Sequence, residues 1–150
     1  MTEFVIDTCK AQKGRETLIY VLSDIHGNTS RFHSVLNQIT WGENDWLYVL
    51  GDMADRGADG IAIMEELMHR PNTVWYRVQP EEKLFSDRIT VFGHTPTEHF
   101  QSTMPMSVWY GDHRIAIDCG AAYEEPGCRL ACVRLDDGKI FYSEENAQLV

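Results

Sequence analysis

The sequence predicts an α/β fold, and a strand-turn-helix pattern that occurs twice supports this prediction. Residues 18–22 and 46–50 are short apolar runs rich in aromatic and β-branched side chains, which is typical of strands buried on both faces of a sheet. A turn and then apolar residues at helical spacing follow each run. This β-α-β-α order predicts a largely parallel sheet with right-handed crossovers. A chain of 150 residues, 43% of them hydrophobic, has the size of one domain, so we expect residues 1–150 to fold as a single unit.

Each predicted helix has one apolar stripe. The first helix follows residues 28–30, which suit an N-cap, and its stripe has the spacing i, i+3, i+4 and i+7. The second helix ends at Pro71. The predicted core-facing residues are Phe32, Val35, Leu36 and Ile39 in the first helix, and Ile61, Met64, Leu67 and Met68 in the second.

The remainder of the chain predicts mainly strands. Residues 73–78 and 89–92 continue the apolar runs, with a loop or short helix at 79–88. Further strands are predicted at 107–110, 114–118, 129–135 and 139–142, and the turn at 136–138 makes a hairpin of the last two. We therefore expect an antiparallel C-terminal half that forms a second sheet packed on the first. Residues 1–16 predict a polar lead-in, with a short edge strand at 4–6.

Charge and cysteine usage exclude several functional classes. A formal net charge of −10 gives no basic footprint for nucleic acid or an anionic membrane, so neither is an expected partner. The four cysteines form no C-x-x-C pair and no signal peptide is evident, which predicts reduced thiols in the cytoplasm. No apolar stretch approaches the ~20 residues needed to cross a bilayer, so the protein is expected to be soluble.

Polar side chains suited to metal binding follow three of the predicted strands. Asp24 and His26 follow the first, Asp52 follows the second, and His94 follows residues 89–92. Ligand sites in open α/β sheets gather beyond the carboxyl ends of the strands, so Asp24, His26 and Asp52 are expected to share one crevice. Two carboxylates and an imidazole suit a divalent ion such as Mn, Fe, Zn or Co. The alternative interpretation is that these residues only cap helices.

Four segments of the chain resemble the calcineurin-like metallophosphoesterases, and within them the branch of serine/threonine phosphatases and symmetrical diadenosine tetraphosphatases. The segments are Ser-Asp-Ile-His-Gly-Asn at 23–28, Gly-Asp-Met-Ala-Asp-Arg-Gly at 51–57, Gly-His-Thr-Pro at 93–96 and Ile-Asp-Cys-Gly at 117–120. The resemblance extends from about residue 18 to residue 142. It implies a β-sandwich flanked by helices, with a two-metal centre at the edge of the sheet.

The resemblance also implies a set of metal ligands. Asp24 and His26 would bind the first metal, Asp52 would bridge both, and His94 would bind the second. The metal would be Mn, with Fe, Zn or Co as alternatives, and each chain would hold one or two ions. A bridging carboxylate holds two dications close enough to clamp one phosphoryl group between them.

The same resemblance implies the reaction and two catalytic residues. A metal-activated hydroxide would attack phosphorus in line, with no covalent phosphoenzyme. Arg56 would bind the phosphate oxygens, although a structural salt bridge is the alternative role. Asp55 stands where the family has an acidic residue that orients the catalytic histidine.

One family motif is missing from this chain. A Gly-Asn-His sequence should follow the strand at residues 72–74, but the chain contains no Asn-His dipeptide. We interpret this as an internal deletion between about Val74 and Trp75, which truncates the middle of the fold. An asparagine and a histidine of the second metal site would be lost, together with the histidine that protonates the leaving group. His99 and His113 could substitute, but ordinary surface histidines are favoured.

Two functions are therefore weighed. The first is a metal-dependent phosphoesterase of weakened activity, or one with a rebuilt site, that acts on phosphoproteins, dinucleoside polyphosphates or small phosphomonoesters. The second is a non-catalytic family member that binds metal or phosphate. A homodimer is a further hypothesis, because the deletion would leave sheet surface exposed.

Overall fold

The computed structural model describes residues 17–70, 72–76 and 89–144. The predicted edge strand at 4–6 and the segment at 79–88 lie outside these residues. The described part contains eight strands, two α-helices and one short 3-10 turn. Their bounds are β1 Ile19–Ser23, α1 Thr29–Leu36, β2 Trp46–Leu50, α2 Gly60–Met68, β3 Thr73–Tyr76, β4 Thr90–Phe92, the 3-10 turn Thr97–His99, β5 Trp109–Gly111, β6 Arg114–Ala116, β7 Ala131–Arg134 and β8 Lys139–Tyr142.

The larger sheet has five strands in the order β3-β2-β1-β7-β8. The three N-terminal strands are parallel, as predicted, and β3 continues through Val74 and Trp75, where the deletion was inferred. The prediction that the last two strands belong to a second sheet is wrong. β7 pairs antiparallel with β1 and β8 with β7, because this hairpin supplies hydrogen-bond partners to the edge of β1 that β2 leaves open.

The smaller sheet has three strands in the order β4-β6-β5. β5 is antiparallel to β6, as predicted, but β4 runs parallel to β6, so the C-terminal half is not wholly antiparallel. The connection between β4 and β6, from residue 93 to residue 113, is long enough for a parallel crossover and contains β5.

Two hydrophobic cores arrange these elements in layers. Tyr20 and Leu22 of β1 pack toward the helices, together with Phe32 and Val35. Val21 of the same strand faces the other way, in a core shared with Ile115 of the smaller sheet. The alternation along β1 therefore places helices on one side of the larger sheet and the smaller sheet on the other. This confirms the predicted α/β class with two packed sheets.

Helix α1 follows its prediction, whereas the predicted buried face of α2 is largely wrong. Asn28 caps α1 by accepting a hydrogen bond from the Arg31 backbone N–H, at 3.0 Å. In α2, Ile61 and Met68 are 72% and 82% exposed and Met64 is 44% exposed, while Leu67 is buried. The buried face is Gly60, Ile63 and Leu67, because the missing side chain of Gly60 lets the helix approach Ala54 closely.

Three further features complete the fold. Residues 136–138 form the predicted turn, in which Gly138 has φ +71° and Asp137 pairs with Arg134. Cys119, Cys128 and Cys132 are buried free thiols, and burial raises the pKa of Cys119 to about 12. Within the described ranges, no helix is both long enough and apolar enough to cross a membrane.

Candidate metal centre

Three loops meet at one edge of the sandwich. Because β1 and β2 are parallel, the loops that follow them leave the larger sheet at the same edge. Several backbone hydrogen bonds join these loops, among them those from the Asp24 N–H to Leu50 O at 3.0 Å, from the His26 N–H to Asp52 O at 3.1 Å and from the Gly27 N–H to Met53 O at 2.9 Å. The third loop follows β4 of the smaller sheet and carries His94 to the same place.

Asp24, His26 and Asp52 form a compact cluster of candidate ligands. Each offers one ligand atom, and these atoms all lie within 4.8 Å of one another. Asp24 is 1% exposed and His26 is 8% exposed. Buried carboxylates require a compensating charge, and a divalent cation supplies it. The two carboxylates and the imidazole thus fit a divalent metal ion in both chemistry and spacing.

The backbone of this cluster is constrained. Asp24 and His26 both have left-handed conformations, with φ +55° and +53°, which non-glycine residues seldom adopt. Strain of this kind is concentrated at functional sites, where the surrounding structure enforces it. The hydrogen bonds between the two loops provide that enforcement here.

Two glycines leave room for the Asp24 carboxylate. A Cβ atom on Gly51 would lie 2.2 Å from Asp24 Oδ1, and one on Gly93 would lie 2.2 Å from Asp24 Oδ2. Gly27 and Gly57 instead approach each other, backbone against backbone. The glycines of the motifs therefore have two different roles: Gly51 and Gly93 border the side chain of a candidate ligand, whereas Gly27 and Gly57 allow close backbone approach, which at Gly57 includes the carbonyl group of His26.

His94 lies beside the cluster but outside it. Its backbone N–H donates to Asp24 Oδ2 at 2.8 Å, and Asp24 Oδ1 accepts from the Asp52 N–H at 3.0 Å. The His94 ring is 38% exposed, and its Nδ1 lies 3.1 Å from Asp52 Oδ2. The structure thus brings His94 to the carboxylate predicted to bridge two metals, on the solvent side of the cluster.

Asp55 and Arg56 extend the site outward. Asp55 Oδ1 lies 2.8 Å from His26 Nδ1, so Asp55 contacts a candidate metal ligand. This contact leaves Nε2 of His26 as the nitrogen for a metal. Arg56 is 57% exposed, and its Nε lies 3.7 Å from Asp55 Oδ2. Arg56 thus forms a weak salt bridge, which was its alternative predicted role. Its guanidinium nevertheless remains accessible to a ligand.

Asp118 is a fourth carboxylate of the site. It belongs to the Ile-Asp-Cys-Gly segment at 117–120, to which the sequence alone assigns no role. It is 4% exposed, and burial, followed by the charge of Asp24, raises its pKa to about 6. Its Oδ1 accepts a hydrogen bond from the Gly120 N–H at 3.0 Å. The position of Asp118 after the apolar residues 115–117 is the signal that could have identified it.

The two substitute histidines are not part of the cluster. His99 is exposed in the 3-10 turn, and His113 is paired with Asp112 at 3.5 Å. Among the residues that the structure describes, only Asp24, His26 and Asp52 form a group of three or more candidate ligands.

Comparison with known proteins supports a superfamily. Residues 17–80 match the family model of the calcineurin-like phosphoesterases. The matched segment contains Asp24, His26, Asp52, Asp55 and Arg56, but not His94. No curated protein and no solved structure matches the chain. The family match and the candidate cluster together support a metal-dependent phosphoesterase in general.

Proposed function

We propose that this chain is a metal-dependent phosphoesterase that hydrolyses small phosphomonoesters with good leaving groups. The observation that carries the proposal is the Asp24-His26-Asp52 cluster, in which Asp24 and His26 are buried, with the exposed guanidinium of Arg56 on the same loop as Asp52. A cation site beside an exposed arginine fits a phosphate group, whose oxygens can contact both.

Each residue has a distinct task in this proposal. Asp24, His26 and Asp52 would hold a divalent ion, with Mn as the first choice. Such an ion, when bound, polarises phosphoryl oxygens and lowers the pKa of a water ligand. Backbone N–H donors from Asp52 and His94 fix the Asp24 carboxylate, and Asp55 fixes the ring of His26. Arg56 would bind the phosphate oxygens and stabilise the charge that develops on them.

The missing Asn-His motif favours substrates with good leaving groups. Proton donation to the leaving group typically contributes ~10²–10⁴ in rate. An aryl phosphate releases a stable phenolate and depends least on such a donor. Phosphoserine and phosphothreonine release a poorer alkoxide leaving group, so hydrolysis of phosphoproteins is expected to be slower. Dinucleoside polyphosphates release a nucleotide phosphate and, like aryl phosphates, depend little on such a donor.

The test is hydrolysis of p-nitrophenyl phosphate by Mn²⁺-loaded protein. Asp52→Asn should abolish the activity, because it removes a candidate ligand. Asp112→Asn is the matched control, since Asp112 is an exposed carboxylate that also pairs with a histidine. If the wild-type rate does not exceed that of Asp52→Asn, the chain is not the enzyme proposed here.

The second candidate function is binding of metal or phosphate without turnover. It is favoured by the position of His94, whose ring is exposed and lies outside the three-residue cluster. Elemental analysis of protein purified without chelator separates the two functions. One tightly bound ion per chain without hydrolysis would support binding, whereas two ions with hydrolysis would support catalysis.

We also propose that the chain forms a homodimer in the cytoplasm. The exposed side chains of Ile61, Met64 and Met68 on α2 support an association surface. Sedimentation at high protein concentration tests the association, and a monomer throughout would contradict it.

A further inference from the structure

The exposed side chain of Arg56 lacks a strong tether in its loop. Its ion pair with Asp55 spans 3.7 Å, and the two side chains are 57% and 50% exposed. Exposed pairs of this kind contribute little to stability. An arginine side chain also loses much conformational entropy when it is held in one place, so a second contact helps to keep its guanidinium ready for phosphate.

Tyr123 supplies this second contact. The Arg56 Cζ atom lies 5.7 Å from the centroid of the Tyr123 ring, within the range of a cation–π interaction. Tyr123 is 36% exposed. Tyr123 lies far from Arg56 in the sequence, and no sequence pattern pointed to it.

Arg31 in turn fixes the loop that carries Tyr123. Its Nη1 donates to Ala121 O at 2.8 Å, to Tyr123 O at 2.9 Å and to Gly120 O at 3.4 Å. Arg31 is 6% exposed, so these carbonyl groups replace the water that its charge would otherwise require. One buried cation thus holds the backbone on both sides of residue 122.

Gly120 completes the placement of the ring. It adopts φ +77°, and a Cβ atom there would lie 3.2 Å from Tyr123 Cδ2, so the ring packs over this glycine. The Tyr123 N–H donates to Gly120 O at 2.9 Å and closes the turn. Arg31 therefore holds the backbone of this loop, and the loop places the Tyr123 ring against Arg56.

We propose that Tyr123 is a positioning residue that holds Arg56 at the edge of the metal centre for phosphate binding, and that Arg31 holds Tyr123 in place. The inference rests on the proposed function, because that function assigns phosphate binding to Arg56. It adds a loop of the C-terminal half to a site whose family match ends at residue 80.

The experiment measures the affinity of inorganic phosphate for Mn²⁺-loaded protein by calorimetry. Tyr123→Ala should weaken phosphate binding about two- to fivefold, the effect of losing one exposed cation–π contact. Tyr123→Phe keeps the ring and should bind phosphate like the wild type. Tyr110→Ala removes another exposed tyrosine, on β5, and serves as the matched control.

A double-mutant cycle shows whether Tyr123 acts through Arg56. In an Arg56→Ala background, Tyr123→Ala should have no further effect on phosphate affinity. The same loss in both backgrounds would overturn the inference, because Tyr123 would then act on phosphate independently. Unchanged affinity in Tyr123→Ala alone would also overturn it.

Arg31→Lys tests whether Arg31 holds the loop that carries Tyr123. A lysine keeps the charge but is shorter and lacks the planar guanidinium whose Nη1 makes all three contacts, so phosphate affinity should fall in the wild-type background and remain unchanged in Tyr123→Ala. An equal loss in both backgrounds would overturn the role of Arg31. Because Tyr123 lies on an exposed loop, its variants should fold. The cycle between Tyr123 and Arg56 therefore still tests the inference if Arg31→Lys does not fold.

The outcomes separate this inference from the proposed function. Phosphate binding that depends on Arg56 but not on Tyr123 would overturn the inference alone. The expected cycle without p-nitrophenyl phosphate hydrolysis would support the inference and overturn catalysis. Absence of phosphate binding by the wild type would overturn both.

Discussion

Nδ1 of His26 lies 2.8 Å from Oδ1 of Asp55, although the two residues belong to loops that follow different strands. The carboxylate occupies Nδ1 and so leaves Nε2 as the ring nitrogen that would bind a metal. Loss of a carboxylate that supports a histidine ligand typically costs 10–100-fold in metal affinity. We therefore expect Asp55→Asn to weaken Mn²⁺ binding by about one order of magnitude or more, measured by titration calorimetry.

The control for this prediction is Asp112→Asn, which disrupts an exposed carboxylate-histidine pair. It should leave Mn²⁺ affinity unchanged. Equal affinities for Asp55→Asn and the wild type would show that His26 needs no support or does not bind the metal.

Gly51 and Gly138 form a matched pair for testing the space around Asp24. Their φ values are +69° and +71°, so an alanine at either position carries a similar backbone strain of about 1–2 kcal/mol. Only at residue 51 would the new Cβ meet Asp24, at 2.2 Å, whereas nothing lies within 4 Å at residue 138. Gly51→Ala should therefore unfold at lower urea concentration than Gly138→Ala and should alone lose Mn²⁺ affinity.

If both alanine variants retain Mn²⁺ affinity, the Asp24 carboxylate can move without loss of the site. That result would contradict the tight packing between Gly51 and Asp24.

Because of Asp118, we expect an unusual pH dependence of stability in the metal-free protein. Its folded-state pKa of about 6 exceeds the ordinary value of 3.8, so the folded chain keeps a proton that the unfolded chain has released. The contribution of this proton to the free energy of unfolding is fully present below pH 4 and is lost as the pH rises through about 6. The total loss is about 3 kcal/mol. Urea unfolding in EDTA should show this loss for the wild type relative to Asp118→Asn.

The opposite sign is expected at Asp137. Its hydrogen bond with Arg134, followed by that from the Lys139 N–H, lowers its pKa to about 2. The stabilisation from Asp137 is therefore present above pH 4 and lost as the pH falls toward 2.

The Asp118 prediction also has a contradicting outcome. A parallel pH profile for Asp118→Asn and the wild type would show that the Asp118 carboxyl is not buried as described.

Helix α2 predicts contrasting costs for two neighbouring isoleucines. Ile63 is fully buried, so Ile63→Ala should lower the free energy of unfolding by about 2–5 kcal/mol. Ile61 is 72% exposed, and Ile61→Ala should change it by about 0.5 kcal/mol or less. Urea denaturation of the two variants checks which face of the helix is buried, and similar losses for both would contradict the structure.

Local patterns predicted the N-terminal half of the fold better than the C-terminal half. Most residues of the runs at 18–22 and 46–50 are buried or half-buried, although Trp46 is 38% exposed, so apolar composition alone identified β1 and β2. The sheet to which β7 and β8 belong depends on the open edge of β1, about a hundred residues away in the sequence, and no local pattern reports it. The face of α2 also depended on a contact, the approach of Gly60 to Ala54, that periodicity does not encode.

The candidate site shows the same division. Asp24, His26 and Asp52 follow strands, so parallel topology was enough to predict that they meet. Asp55 was recognised in its motif, but its partner His26 emerged only from the fold. Arg31 binds backbone carbonyl groups and Tyr123 offers its ring face. Neither kind of contact has a sequence pattern, so neither residue could be predicted.

The hydrogen bond from His94 to Asp24 joins the two sheets, because β4 belongs to one and β1 to the other. The three candidate ligands all lie on loops of the larger sheet, so this bond is a link through which a bound ion would act on the smaller sheet. An ion that orders the Asp24 carboxylate should also favour the docked arrangement of the two layers, so Mn²⁺ should slow hydrogen exchange of the β4 and β6 amides. Ion occupancy would then be coupled to the opening of the sandwich.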